Sequence, residues 1–472
     1  SYKVSHKTDL SLTHPEAKEK IEIILNKMLA TGGDFAEVFW ERKKSKVYSF
    51  VDSKLDAINI KRINGLGLRL ASGTDVYYGA INNLEDNAIA EVIDNLTKNI
   101  DNKVLYSNVK LDSLERFVGS NETHYTDQDV KKLMQEIDNY ARNKDDRVLQ
   151  VNVVLQNNEQ TVTVANHTGR YKEEVRVHSR IFIIVTLKDE DKVADIHFTK
   201  GTLEGLDFLD KIDFHKEVDI LIKEGLDKLY AKPCLGKVMP VVIEQGFGGV
   251  IFHEACGHAL EATSVAPKIS VLSDLKGEVI ASPKVTIIDD GTLLNEWGSS
   301  IIDDEGNKTQ RNVLIENEFL KNYLIDEINN RKMHDVITGS GRRESYLYAP
   351  TSRMNNTYLE PGTDTFVDMI SSIKLGLYCA KMGGGSVSPE TGDFNFACDL
   401  AYMIRDGKIC ECVKSASLIG NTKDILKSVE MVGSNLALGP GMCGSISGSV
   451  PVNVGIPTIK VSHILVGGYN EE

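Results

Sequence analysis

The stretch that most constrains this chain is Phe252 to Glu261, F-H-E-A-C-G-H-A-L-E, because it has to be buried and reactive together. The chain holds 11 His in 472 residues, yet His253 and His258 lie five positions apart with Glu254 directly after the first. The pattern is one residue longer than H-E-x-x-H, in which two imidazoles hold zinc and the Glu acts as general base. On a regular helix, residues four apart differ by roughly 40° in direction and residues five apart by roughly 140°. A regular helix would therefore splay the two His. A π-type turn with i→i+5 bonding returns them to one face, and Gly257 removes a side chain where the backbone would distort. Gly246, Gly248 and Gly249 precede Val250, Ile251 and Phe252, and Leu260 follows, so the segment reads as buried. Buried His and Glu need partners, and a metal supplies one.

Length predicts more than one core, and the composition shift at Lys232-Pro233-Cys234-Leu235-Gly236 places the boundary. The expected layout is an N-terminal α+β domain over 1–231 and a C-terminal domain over 232–472, rich in antiparallel strands and carrying the metal site. A hydrophobic share of 41% with 26% charged residues fits a globular protein. The net charge of -14 disfavours a nucleic-acid or anionic-membrane surface. Ser1 to His6 lacks the apolar core of a signal peptide and no long apolar run occurs, so a cytoplasmic location without membrane contact is expected. Seven Cys, all from Cys234 onward, do not form a secreted disulfide framework. Cys410 and Cys412 point to one face of an alternating strand and read as core.

Residues 15–31 read as an amphipathic helix bounded by Pro15 and Gly32-Gly33. Five short strands are expected between Phe35 and Ala80, with turns at Asn64-Gly65 and Ser72 to Asp75. Helical periodicity returns over 84–100 and 127–142, strands fill 148–199 with hairpin turns at 166–169 and 189–191, and a helix covers 212–229. Helices followed by runs of strands indicate a segregated α+β arrangement rather than βαβ repeats. Beyond the His pair, strands are expected near 285–288, 313–315, 401–404 and 464–466. Asp289-Asp290-Gly291 and Asp303-Asp304-Glu305-Gly306 read as solvated turns, since neither has EF-hand ligand spacing. Gly383 to Gly385 and Gly439 to Gly448 read as flexible loops.

A catalytic zinc takes three protein ligands. Residue type and loop context rank Cys443, in G-P-G-M-C-G-S-I-S-G, ahead of Glu261 by a small margin, and spacing alone does not choose.

The second half resembles the TldD branch of the TldD/PmbA metallopeptidase family. The matching stretches are H-E-A-C-G-H-A-L-E (253–261), V-T-I-I-D-D-G-T (285–292), T-G-S-G-R-R-E-S-Y (338–346), S-R-M-N-N-T-Y (352–358), G-G-G-S-V (383–387) and G-M-C-G-S-I-S-G-S-V-P-V-N-V-G-I-P-T (441–458). R-I-N-G-L-G-L-R-L-A (62–71) and Y-G-A-I-N-N-L (78–84) extend a looser similarity into the first half. The resemblance implies Zn²⁺ held by His253, His258 and Cys443, with Glu254 as the base that takes a proton from an activated water. It implies unfolded peptides as substrates, and a homodimer or a heterodimer with a PmbA/TldE-like paralogue. A non-catalytic, gyrase-modulator-like regulatory or scaffolding subunit is the other reading. Ala262, Thr263 and Cys256 depart from the family's usual residues without touching an implied ligand. Arg353, His334 and Tyr346 are chemically able to steady a developing oxyanion.

Overall fold

The computed structural model describes residues 15–470. The reading of Ser1 to His6 lies outside the described residues.

Residues 35–202 build one seven-stranded sheet. Its strands are β1 (Phe35–Val51), β2 (Lys54–Ser72), β3 (Asp75–Ile81), β4 (Glu115–Val118), β5 (Val148–Asn166), β6 (Tyr171–Asp189) and β7 (Lys192–Thr202). The order is β3-β2-β1-β5-β6-β4, with β7 also on β6, and every pair but β4–β6 is antiparallel. Alternation along β1 divides its side chains between two faces. Val38 and Trp40 join the core under helices Pro15–Met28 and Asp86–Thr97, whereas Phe39 packs with Val162, Val164 and Tyr346 on the other face. Helices Asp127–Lys144 and Phe214–Leu229 cover the other end of the sheet through Met134, Ile137, Val218 and Leu221. The first of these starts on a capping box between Thr126 and Asp129.

Where five short strands were expected, the chain forms three, two of them 17 and 19 residues long. Asn64 and Gly65 are no turn: they pair with Arg42 and Glu41 inside β2. Asn64 accepts from Trp40 Nε1 at 2.9 Å, and a Cβ on Gly65 would lie 2.4 Å from the Tyr346 ring. The glycine therefore serves a close approach from the second half of the chain. The expected hairpins at 166–169 and 189–191 are present, with Gly169 at positive φ.

From Lys232 onward the chain builds two larger sheets and one two-stranded ribbon. In the six-stranded sheet the order is Phe319–Leu320, Arg311–Glu316, Ile287–Asp290, Asn356–Leu359, Gly448–Ile456 and Ala437–Ser445. In the eight-stranded sheet, strands Leu375–Val387, Lys237–Ile243, Ile459–Gly467, Ser417–Asn421 and Asp393–Arg405 close on themselves, because the first and last also pair. Between the two sheets lies the segment that carries the His pair. Ile251, Phe252, Ala255, Cys256 and Leu260 are buried with Val241, Leu377 and Phe396 on one side and Ile287, Leu359 and Ile456 on the other.

Three further expectations are corrected. The Gly-rich stretches are paired strands, with Gly439 to Gly448 running through a hairpin whose turn places Gly448 at φ 86°. Cys410 is exposed and Cys412 half-buried, on the short strand Lys408–Lys414. The acidic turns are buried: Asp289, Asp303 and Glu305 are each at most 1% exposed. Asp304 accepts from Arg176 Nη1 at 2.6 Å and Glu305 from Arg69 Nη2 at 2.9 Å, so charges from β2 and β6 replace the water they were expected to face.

Candidate metal centre

The backbone between the two His does what their spacing demands. His253–Gly257 is a π turn, and the His258 N–H bonds back to the His253 carbonyl, an i→i+5 bond. Gly257 itself has ordinary helical torsions, φ -60° and ψ -49°. Its glycine answers a packing need instead: a Cβ would stand 2.0 Å from Met354 Sδ.

The turn sets the rings 5.0 Å apart at 84°, and Cys443 enters from the strand Ala437–Ser445. Its Sγ lies 3.3 Å from His253 Nε2 and 3.4 Å from His258 Nε2. All three donor atoms lie within 4.8 Å of one another. Burial acts to raise the Cys443 pKa, but the His253 and His258 imidazoles outweigh it and bring the thiol down to about 4. Burial acts to lower the His258 pKa, yet the Glu261 carboxylate and Cys443 hold it well above the usual value. A cysteine sulfur between two imidazole nitrogens, all three donor atoms within 4.8 Å of one another, is a soft donor set of the kind that holds a divalent cation such as Zn²⁺ once its protons are displaced. These residues fit the metal that the sequence implies.

Glu261, the second-ranked ligand, takes a different place. Its Oε1 sits 2.7 Å from His258 Nδ1, on the far side of the ring from Cys443. That is the position from which a carboxylate fixes the orientation of a metal-ligating His. Glu254 lies on the near side, with Oε2 3.6 Å from His258 Nε2, and its side chain is 25% exposed.

Glu254 and His253 line a cleft of about 910 Å³. Its walls also include Arg180, His197 and Lys200 from β6 and β7, Lys381 and Met382, and the stretch Leu436 to Met442, which enters the strand at Ala437. The three residues considered for an oxyanion role stand elsewhere. Arg353 is fully buried beneath the Cys443 hairpin, donating to the carbonyls of Cys443 and Gly448 and to Ser447 Oγ. Tyr346 packs against Phe39, and His334 is an exposed left-handed residue ending a short helix. Asp289, read from sequence as part of a solvated turn, is buried, and its carboxyl accepts from the Asn355 N–H and the Thr357 hydroxyl, each at 2.8 Å. Burial pushes its pKa up to about 6. Sequence reading missed Arg180, which no local motif marks and which lines the cleft.

A second cluster, His124 with Asp207 and Asp210, has metal-ligand residue types but is exposed. There His124 Nε2 already meets Asp210 at 2.6 Å and the Tyr125 hydroxyl donates to the same carboxylate.

Comparison with known proteins agrees with this architecture. Family models described as PmbA/TldA metallopeptidase domain 1, central domain and C-terminal domain match residues 36–100, 121–229 and 236–468. A metalloprotease TldD homolog of Haemophilus influenzae is 39% identical over 321 residues. That stretch takes in 66% of each chain, just under two thirds of the relative's length. A zinc metalloprotease TldD homolog of Saccharolobus solfataricus is 28% identical over 292 residues, 62% of this chain and 65% of the relative. Two crystal structures share the fold. A protein described as a modulator of DNA gyrase, from Bacteroides thetaiotaomicron, has a TM-score of 0.76 at 18% identity, covering 97% of this chain and 100% of the other. TldE from Thermococcus kodakarensis has a TM-score of 0.74 at 18% identity, covering 95% and 99%. Among the described residues no helix is long and apolar enough to cross a membrane. With all three family models matched along its length, the chain belongs to the PmbA/TldD family of metallopeptidases.

Proposed function

We propose that this chain is a zinc-dependent peptidase that hydrolyses peptide bonds in extended, unfolded segments. The observation that carries the reading is the Cys443 sulfur held 3.3 and 3.4 Å from two imidazole nitrogens, with Glu254 beside them on the cleft wall. His253, His258 and Cys443 would hold the metal, and Glu261 would orient His258. Bound zinc supplies a Lewis acid that polarises a carbonyl and acidifies a water at neutral pH. Glu254, 3.6 Å from His258 Nε2 on the cleft wall, would serve as the general base, taking a proton from the attacking water and passing it to the leaving amine.

The cleft favours an extended chain. Ala437–Ser445, the strand carrying Cys443, pairs on one side only and forms the cleft wall as a sheet edge. A peptide can lie extended along this edge, pairing with main-chain groups other than the Pro440 and Gly441 carbonyls, which already accept from Arg180 and Trp297. A folded domain does not present such a segment. The reading includes a cytoplasmic site of action and assembly with a second copy or a TldE-like paralogue, the latter in keeping with the likeness to TldE.

The test is cleavage of an unfolded polypeptide by zinc-loaded protein. Chelation should abolish turnover and added zinc restore it. A fully zinc-loaded protein that leaves unfolded polypeptides intact, alone and with a TldE-like partner, would support the regulatory-subunit reading instead.

A further inference from the structure

Residues 176, 178 and 180 of β6 point to one face of the N-terminal sheet, the face turned toward the second half of the chain. Arg176 meets Asp304 and the Ile302 carbonyl there, and His178 meets the Trp297 carbonyl at 3.1 Å. Arg180 reaches furthest toward the cleft. Its Nε donates to Thr199 Oγ1 at 2.9 Å and its Nη2 to the Pro440 carbonyl at 3.1 Å. The rings of Phe182 and Trp297 hold the guanidinium at 4.2 and 5.6 Å.

What this arginine lacks is an anion. Of the five basic side chains among the described residues of the cleft wall, His253 belongs to the candidate metal centre and three others have a carboxylate nearby. Lys381 lies 3.5 Å from Glu224, His197 lies 3.9 Å from Asp399, and Lys200 stabilises the Glu296 carboxylate. Arg180 is 8% exposed and has no ion pair among the described residues. Burial without a compensating charge brings its pKa down to about 10. Buried Arg342 and Arg353 also lack a direct carboxylate contact, but both donate to main-chain carbonyls away from the cleft. Arg180 keeps Nη1 without a hydrogen bond, and that atom is not sealed from solvent. An uncompensated buried guanidinium is costly, and a planar fork with a free N–H is shaped for a carboxylate.

We propose that Arg180 binds a carboxylate of the peptide lying in the cleft and so sets which segments are cut. This deepens the peptidase reading and rests on it for the occupant of the cleft. Position along the substrate follows from the strand. Pro440, whose carbonyl Arg180 holds, precedes Cys443 by three residues, about 10 Å at a strand rise of ~3.4 Å. The carboxylate should therefore lie two to four residues from the bond that is cut. Two sources carry this chemistry: an Asp or Glu side chain, and the peptide's own C-terminal carboxylate.

The experiment uses zinc-loaded full-length protein and fluorescent peptides of one length. One series is neutral, one carries a single Glu moved along the chain, and each is made with a free-acid and an amide end. Affinity is read by anisotropy in the Glu254→Gln background, which holds peptide without cutting it, and cleavage is read in parallel with wild type. A carboxylate at the preferred position should tighten binding about 10- to 100-fold over the neutral amide, as expected for hydrogen bonds to a charged group. In the Glu254→Gln/Arg180→Gln protein that ratio should fall to within about twofold of one. Arg180→Lys, which keeps the charge but loses the fork, should give an intermediate ratio and serves if the Gln variant does not fold. Preference for Glu with either end identifies a side chain, and preference for the free acid alone identifies the terminus. Neutral and acidic peptides bound equally by the Arg180 protein would overturn the proposal, as would no binding of either. Cleavage without acidic preference would do so with the peptidase reading intact. Acid-selective binding lost in Arg180→Gln, but with no cleavage by wild type, would leave Arg180 standing and remove the peptidase reading.

Discussion

Glu254 and Glu261 are both carboxylates close to His258, yet they stand on opposite sides of its ring. Glu254 Oε2 is 3.6 Å from Nε2, the nitrogen that faces Cys443, and Glu261 Oε1 is 2.7 Å from Nδ1. The two positions predict opposite consequences for the same substitution. Glu254→Gln should lower peptide turnover by about 10²–10⁴-fold, the usual contribution of a general base, while zinc content stays at wild type. Glu261→Gln should weaken zinc binding about 10- to 100-fold, as is typical when a ligand's orienting partner is lost, and excess zinc should recover much of the activity. Chelator competition and turnover, measured on both variants, separate the roles. Turnover by Glu254→Gln equal to wild type would remove Glu254 as the base.

Among the elements, the π turn was legible before any coordinates because a spacing of five imposes its own geometry. The reason for Gly257 was not, since Met354 reaches it from another segment. Gly257→Ala should cost about 1–3 kcal/mol through overpacking against Met354 Sδ. Combined with Met354→Ala it should cost less than the sum of the two single changes, which a denaturation cycle would show. The same distinction governs the rest of the fold. Helices over 15–28, 127–144 and 214–229 and the hairpin turns follow local rules of periodicity, capping and turn chemistry, and they were expected within a few residues. Asn64-Gly65, the acidic turns and the late glycines were misread for another reason. Tyr346, Arg69 and Arg176 come from distant sequence, whereas the late glycines pair with the adjoining strand Gly448–Ile456 and lack the side chains whose alternation marks a strand. The His253, His258 and Glu254 pattern is local and therefore visible. Arg180 becomes notable only when its missing anion is seen.

Across the whole molecule, the N-terminal sheet and the segments around 303–305 and 342–343 are joined by buried charges. Arg69 Nη2 bonds Glu37 at 2.7 Å and Glu305 at 2.9 Å, and Arg343 Nη2 reaches the same Glu37 at 2.6 Å. Arg69→Met removes one charge and leaves two buried carboxylates short of a partner, so it should cost about 3–5 kcal/mol in denaturant unfolding. His178 lies at the same junction, where burial and the nearby Arg176 and Arg342 bring its pKa down from 6.5 to about 3. Because the folded pKa is depressed, the unfolded chain takes the proton first. The stability carried by neutral His178 is whole above pH 6.5 and is lost as pH falls toward 3, by about 1.4 kcal/mol per unit. The stability gap between wild type and His178→Gln should therefore move in the variant's favour by that slope from pH 6.5 to 4.5, and a constant gap would contradict the assignment. The central claim is that one zinc is held by His253, His258 and Cys443, and anomalous diffraction at the zinc edge tests it most directly. Zinc-loaded crystals should show a single strong peak at bonding distance, about 2.0–2.3 Å, from His253 Nε2, His258 Nε2 and Cys443 Sγ. A peak at His124, Asp207 and Asp210, or one bound by Glu261 with Cys443 left free, would contradict it.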